Sequence, residues 1–118
     1  MTLQTLPATC GWRLFKVQGQ LDFAAAPAVQ AALIHAADME HSDLLIDLED
    51  IEVADEKGVG MLKSAVRRLL SDHPEVHIAI IAKHAWLADM LTDEYPAPVA
   101  IFRNGGEALD SIQLRKAA

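Results

Sequence analysis

One stretch, residues 44–70, limits the folds available to this chain more than any other. It opens on a short apolar run, 44–46, which is followed by acidic residues and is typical of a strand buried on both faces of a parallel sheet. Apolar and acidic residues then alternate from 49 to 54, where we expect the chain to cross the sheet edge. From Val59 onward the apolar residues recur every three or four positions, which is the spacing of an amphipathic helix. The stretch therefore predicts a strand, a loop and a helix of a layered α/β fold.

The junction between this strand and this helix carries residues with clear local roles. Asp55 can accept a hydrogen bond from a free amide of the first helical turn, which predicts an N-cap. Glu56 would lie at the positive end of the helix dipole. Gly58 and Gly60 would let the turn approach its neighbours closely. The junction is thus predicted to be an acidic, closely packed helix start.

The exposed face of the same helix is predicted to be basic. A helical wheel places these polar residues opposite the apolar ones: Lys57, Lys63, Ser64, Arg67, Arg68 and Ser71. Such a face is most often only solvated. Here, however, four of the ten Lys and Arg residues lie on one helix of a protein with a net charge of −7. We therefore expect this face to help steer a protein partner.

Composition narrows the class of protein further. A length of 118 residues with 52% hydrophobic residues predicts one ordered domain. The net charge of −7 argues against nonspecific nucleic-acid binding, because that binding needs a basic surface. The single cysteine, Cys10, allows no intramolecular disulfide and indicates a reducing compartment. We see no signal-peptide pattern and no apolar stretch of membrane-spanning length, so we expect a cytoplasmic protein.

The rest of the chain predicts strands and helices in alternation. Strands are expected at 12–18, 76–82 and 99–102, with an edge strand within 3–10, and helices at 23–37, 84–91 and 107–114. The residues expected in the core of the last two helices are Trp86, Leu87, Met90, Leu91, Ala108, Leu109 and Ile112. This order predicts an α/β fold: a mostly parallel sheet with antiparallel first strands, flanked by about four helices.

No catalytic, metal or cofactor site is predicted. The acidic residues of 47–56 lack the flanking acidic pair and lysine that a phospho-receiver domain needs. His73 and His77 have a zinc-ligand spacing, but Pro74 between them prevents a regular helix. No histidine adjoins Cys10 as a base, and Gly105-Gly106 lacks a phosphate-binding pattern. We therefore expect a protein that is not an enzyme and needs no metal or cofactor.

The order of these features resembles the STAS domain, the anti-sigma factor antagonist family. Gly19-Gln20-Leu21-Asp22 resembles the G-x-L-D opening of that family. Leu45-Ile46-Asp47-Leu48 resembles its central strand, Asp55-Glu56-Lys57-Gly58-Val59-Gly60-Met61-Leu62 its D-S-S/T-G-L-G-x-L loop, and Gly106-Glu107-Ala108-Leu109 its closing helix. The resemblance extends over about residues 12–112 within a single domain at 1–118. It implies a bacterial regulatory domain without enzymatic activity.

The resemblance also implies a binding surface and a departure from the family pattern. In partner-switching members, an anti-sigma factor that is also a kinase of ATPase fold phosphorylates the serine after the loop aspartate. Glu56 occupies that serine position and Lys57 the second hydroxyl position, so the loop has no hydroxyl left. A phosphoserine carries about −1.5 to −2 charges, whereas Glu56 carries one, which Lys57 partly offsets. The partner-binding residues implied are Asp22, Asp55, Glu56, Lys57, Gly58, Gly60, Lys63, Ser64, Arg67 and Arg68.

We therefore expect an anti-sigma-antagonist-like interaction module outside loop-serine kinase control. Ser64 and Ser71 are further candidate phosphorylation sites. Two alternatives stay open: a scaffold or accessory subunit of a signalling assembly or lipid-transport ATPase, and, ranked lower, a nucleotide- or lipid-binding domain. The sequence identifies neither the partner nor the oligomeric state.

Overall fold

The computed structural model describes residues 2–7, 11–40 and 42–117, with side chains described at 3–5, 11–39 and 42–111. Cys10 lies outside these ranges. In chain order the elements are β1 (Thr2–Pro7), β2 (Trp12–Leu21), α1 (Ala26–His35), a π-helical turn (Ala36–Glu40), β3 (Asp43–Asp47), β4 (Ile51–Ala54), α2 (Glu56–Asp72), β5 (Ile78–Ile81), α3 (Ala85–Leu91), β6 (Val99–Phe102) and α4 (Gly105–Ala117).

The strands form one mixed sheet in the order β1-β2-β3-β5-β6. β1 and β2 are antiparallel, and the pairs β2–β3, β3–β5 and β5–β6 are parallel. The predicted α/β class, with antiparallel first strands, a parallel remainder and four helices, is confirmed. The parallel strands end at a common edge, which also receives the start of α2.

The largest departure from prediction is the segment between β3 and α2. Instead of only crossing the sheet edge, Ile51–Ala54 forms β4, which pairs in parallel with the last residues of β2. β2 itself continues to Leu21, although the sequence predicted that it would close at Gly19. The strand continues because Gly19 adopts φ 91° at a register shift, where a bulge lets the ladder resume.

Each face of the sheet has its own apolar core. The larger core contains α1, α2 and α3 against strand residues such as Phe15, Ile46 and Ile80. The smaller core, on the other face, comprises Trp12, Leu45, Ala79, Ile81 and Ala108. Successive strand residues such as Leu45 and Ile46 enter opposite cores, as the two-residue period of a strand requires.

Two residues expected in the core are exposed instead. Trp86 is 43% exposed and stacks on His84, whereas Leu87 and Leu91 of the same helix are buried. α3 has only seven residues, and its fully buried positions are Leu87 and Leu91, at i and i+4, with Ala88 and Met90 partly buried beside them.

In α4, Ala108 is fully buried in the smaller core, whereas Leu109 is 43% exposed. The side chain of Ile112 lies outside the described ones. Among the residues that the structure describes, no helix is both long enough and apolar enough to cross a membrane.

Candidate partner-binding surface

The start of α2 is fixed by Asp55, as predicted. Asp55 has an extended backbone (φ −110°, ψ 166°), and its Oδ1 accepts a hydrogen bond from the Gly58 amide at 2.6 Å. Its own amide donates to the Leu21 carbonyl at 3.2 Å, which ties the helix start to the end of β2. The N-cap is therefore confirmed, and the Asp55 carboxylate is used mainly to hold the loop.

Gly58 and Gly60 differ in their surroundings. A Cβ at Gly58 would lie 2.4 Å from the Leu21 carbonyl oxygen and 2.7 Å from the Asp22 Cα. Gly58 is buried, so it supports the surface from beneath and is not part of the exposed surface. A Cβ at Gly60 would have nothing within 4 Å. The predicted close approach is confirmed at Gly58 and wrong at Gly60.

Asp22 has a structural role in the neighbouring β2–α1 loop. Its Oδ1 accepts from the Ala25 amide at 2.9 Å, and its carbonyl accepts from the Ala26 amide at 3.0 Å. These bonds form the turn that starts α1, and they leave Asp22 only partly exposed. A direct contact with a partner would have to share this carboxylate with the turn.

Two exposed apolar side chains lie near the loop, and the sequence did not single out either of them. Phe23 is 62% exposed and Val53 is 54% exposed. The Lys57 ammonium lies 5.9 Å from the centroid of the Phe23 ring, which is within range of a cation–π interaction. Phe23 lies at the start of a predicted helix and Val53 lies in the alternating segment 49–54. Neither local pattern indicates that the side chain is exposed.

The predicted basic face of α2 is paired with carboxylates. The Arg67 guanidinium forms an ion pair with Asp93, and Lys63 Nζ lies 3.9 Å from the same carboxylate. Arg68 Nε lies 3.7 Å from Asp72 Oδ2, one turn further along the helix. Ser64, between these pairs, is exposed. The helical wheel could not show this pairing at Lys63 and Arg67, because Asp93 lies beyond α3 in the chain.

The loop end of α2 is acidic instead. Glu52, Asp55 and Glu56 are exposed or at the surface, and none of them forms an ion pair with another residue of the described part of the chain. A hydrogen bond from Gln18 and a contact with Lys16 lower the pKa of nearby Asp50. The Asp50 carboxylate is thus negatively charged at neutral pH.

The histidines do not converge on a site. His73 Nε2 lies 2.7 Å from Asp38, whereas His77 Nδ1 lies 3.3 Å from Asp43. Within the ranges that the structure describes, no group of three or more His, Cys, Asp or Glu residues could hold a metal ion.

Comparison with known proteins identifies the family. The STAS domain matches residues 4–83. Among solved structures, a serine-to-glutamate variant of Moorella thermoacetica RsbS is similar over all of both chains, with a TM-score of 0.75 and 18% identity.

The unphosphorylated form of the anti-sigma factor antagonist SpoIIAA has a TM-score of 0.71 and 16% identity, over 95% of this chain and 98% of its own. An anti-sigma factor antagonist from Mycobacterium paratuberculosis has a TM-score of 0.69 and 19% identity, over 95% and 93%. No curated protein sequence matches significantly. At these identities the structures establish the shared fold, and the match over 4–83 establishes the family: this chain belongs to the STAS domain family.

Proposed function

We propose that this STAS domain is a non-catalytic regulatory module of the bacterial cytoplasm. It binds a protein partner through the start of α2 and the adjoining loops, in the manner of an anti-sigma factor antagonist. The observation that carries the proposal is the exposure of Phe23 and Val53 near an acidic loop whose start is fixed by the Asp55 cap. Apolar side chains surrounded by charges form the usual plan of a protein interface.

The proposal includes a fixed charge at the regulatory position. Glu56 is exposed in the first turn of α2, where the family places a phosphorylated serine. Its single carboxylate offers less charge and fewer acceptor oxygens than a phosphate. The similarity to an RsbS variant with glutamate in place of serine supports a stable fold with this kind of substitution. Partner binding would then be independent of a loop kinase.

The test compares wild type with Glu56→Ser and with Phe23→Ser/Val53→Ser. Each protein is used to capture partners from its native lysate, and the captured protein is purified for affinity measurement. We expect the apolar double variant to weaken binding about 10-fold or more, because each exposed apolar contact contributes to the interface. We expect a kinase-type anti-sigma factor of the same genome to phosphorylate Glu56→Ser and not the wild type.

The matched control is Glu75→Ser, which makes the same change about 25 Å away beyond the other end of α2. It should leave both affinity and phosphorylation unchanged. The proposal fails if the double variant binds the partner as tightly as wild type. It also fails if the kinase phosphorylates wild type at Ser64 or Ser71 and thereby releases the partner.

A further inference from the structure

A groove runs between α2 and α3 beside the loop. It has a volume of about 370 Å³, and its lining includes Glu56, Val59, Gly60, Asp89, Met90 and Thr92. Val59 is buried and Met90 is half-buried, so the groove has an apolar floor. Glu56 and Asp89 are exposed on its α2 side and its α3 side. The groove is therefore apolar beneath and acidic at its rim.

Gly60 keeps this groove open. It lies within the regular helix α2, where glycine is less favourable than alanine, and no atom within 4 Å of its Cβ position explains the choice sterically. Any side chain at this position would project from the helix surface that lines the groove. The absence of a side chain thus creates space that the fold itself does not need.

The charges of the groove select the sign of an occupant. No ion pair within the described part of the chain involves Glu56 or Asp89. Lys63 also lines the groove, but its Nζ lies 3.9 Å from Asp93, the carboxylate that pairs with Arg67. Two carboxylates without ion pairs therefore remain for a cation. A side chain with an aliphatic stem and a cationic head fits both the floor and the rim.

We propose that this groove binds an arginine side chain from the protein partner, an inference that rests on the proposed function. The stem of the arginine packs on Met90, above the buried Val59, and its guanidinium contacts Glu56 and Asp89. Arginine suits the site better than lysine because its planar head pairs with carboxylates through two hydrogen bonds and is more weakly hydrated. The acidic groove, and not the basic face of α2, then selects the partner.

The test requires no natural partner. N-acetylarginine methylamide is titrated into the ¹⁵N-labelled full chain, with N-acetylnorleucine methylamide as an uncharged probe of similar stem length. We expect saturable amide shifts centred on Val59, Gly60, Asp89 and Met90 with the arginine probe only. The dissociation constant should be on the order of millimolar, as for a small ligand with few contacts.

Variants then locate the probe. Gly60→Gln fills the groove and should abolish the shifts, whereas the matched variant Ala31→Gln, at an exposed position of α1 that does not line the groove, should retain them. If Gly60→Gln fails to give a folded spectrum, Asp89→Asn becomes the deciding variant. We expect it to lower the affinity for the arginine probe about threefold or more. The proposal is overturned if no saturable shift appears up to the solubility limit, if both probes act alike, or if the deciding variant binds like wild type.

This outcome is separable from that of the proposed function. Failure of the titration, together with loss of partner binding in Phe23→Ser/Val53→Ser, removes the arginine site and leaves the interaction surface intact. A successful titration, together with unchanged partner binding in the double variant, supports the arginine site and removes Phe23 and Val53 from the interaction surface.

Discussion

Gly58 and Gly60 show how the neighbours in space decide the role of a residue. They lie two positions apart in α2 and the same role was predicted for both. At Gly58 the main chain of Leu21 and Asp22 occupies the position of any side chain, whereas Gly60 borders open space. Backbone atoms cannot move aside as a flexible side chain can. The first glycine is therefore required for packing, and the second is free to serve binding.

Alanine at each position should separate these roles. We expect Gly58→Ala to lower the free energy of unfolding by about 3 kcal/mol, because the methyl group overlaps backbone atoms. We expect Gly60→Ala to raise it by about 0.5–1 kcal/mol, because alanine is the better helix former. Urea denaturation followed by circular dichroism measures both. Equal effects of the two substitutions would contradict the roles assigned to these glycines.

At the scale of elements, a tyrosine helps to hold the segment between α3 and β6. The Tyr95 hydroxyl donates to the Leu91 carbonyl at 2.6 Å, and so fixes the segment against the end of α3. Burial, followed by the nearby Asp93 carboxylate, raises the pKa of Tyr95 to about 12, against a smaller opposite effect of Arg67. The segment also carries Asp93 toward Arg67 of α2. Tyr95 thus helps to place the carboxylate that pairs with Arg67 of α2.

This arrangement predicts a loss of stability at high pH. Because the unfolded chain releases the phenol proton near pH 10 and the folded chain retains it to about 12, folding becomes less favourable as pH rises through that window. Tyr95 is the single tyrosine, so tyrosinate absorbance reports on it alone. We expect a midpoint about two pH units higher in buffer than in denaturant, and no transition in Tyr95→Phe. Coincident midpoints would contradict the burial of the phenol.

The elements that were predicted well are those with strong local patterns. The seventeen-residue helix α2, its N-cap and the buried strand before it follow from apolar spacing and one capping residue. β4 has four residues and exists only by pairing with β2, about thirty positions upstream, so no local pattern defines it. The neutralisation of Arg67 by Asp93 is likewise a contact between distant residues. The acidic loop could therefore be predicted, and the acidic groove could not.

At the scale of the whole molecule, the two faces of the sheet are covered unequally. Three helices cover the larger core, while in the part of the chain with described side chains Ala108 alone represents α4 in the smaller core. Trp12 belongs to this core, and its buried indole Nε1 has no hydrogen-bond partner within the described part of the chain. An unsatisfied donor of this kind reduces stability. Among the described side chains of α4, Ala108 is the one buried in the smaller core.

Substitutions in α4 should test this burial. We expect Ala108→Glu to lower the free energy of unfolding by roughly 3 kcal/mol or more, because it buries a charge in the smaller core. Leu109→Ala should change it by only about 0.5 kcal/mol, because Leu109 is largely in solvent. Thermal denaturation of both variants measures the difference. A larger loss of stability in Leu109→Ala than in Ala108→Glu would contradict this assignment and would support the inward orientation of Leu109 predicted from the sequence.

The carboxylate of Glu56 has a further consequence for how a cell could control such a module. A phosphate can be added and removed within the lifetime of a protein, whereas an encoded side chain is as permanent as the gene. Because the charge at position 56 is permanent, the abundance of the protein is the quantity left for a cell to adjust. The occupancy of a complex follows the concentrations of its components by mass action. If the module acts as proposed, the amount of complex that it forms would rise and fall gradually with its synthesis and degradation. That amount would then follow gene dosage.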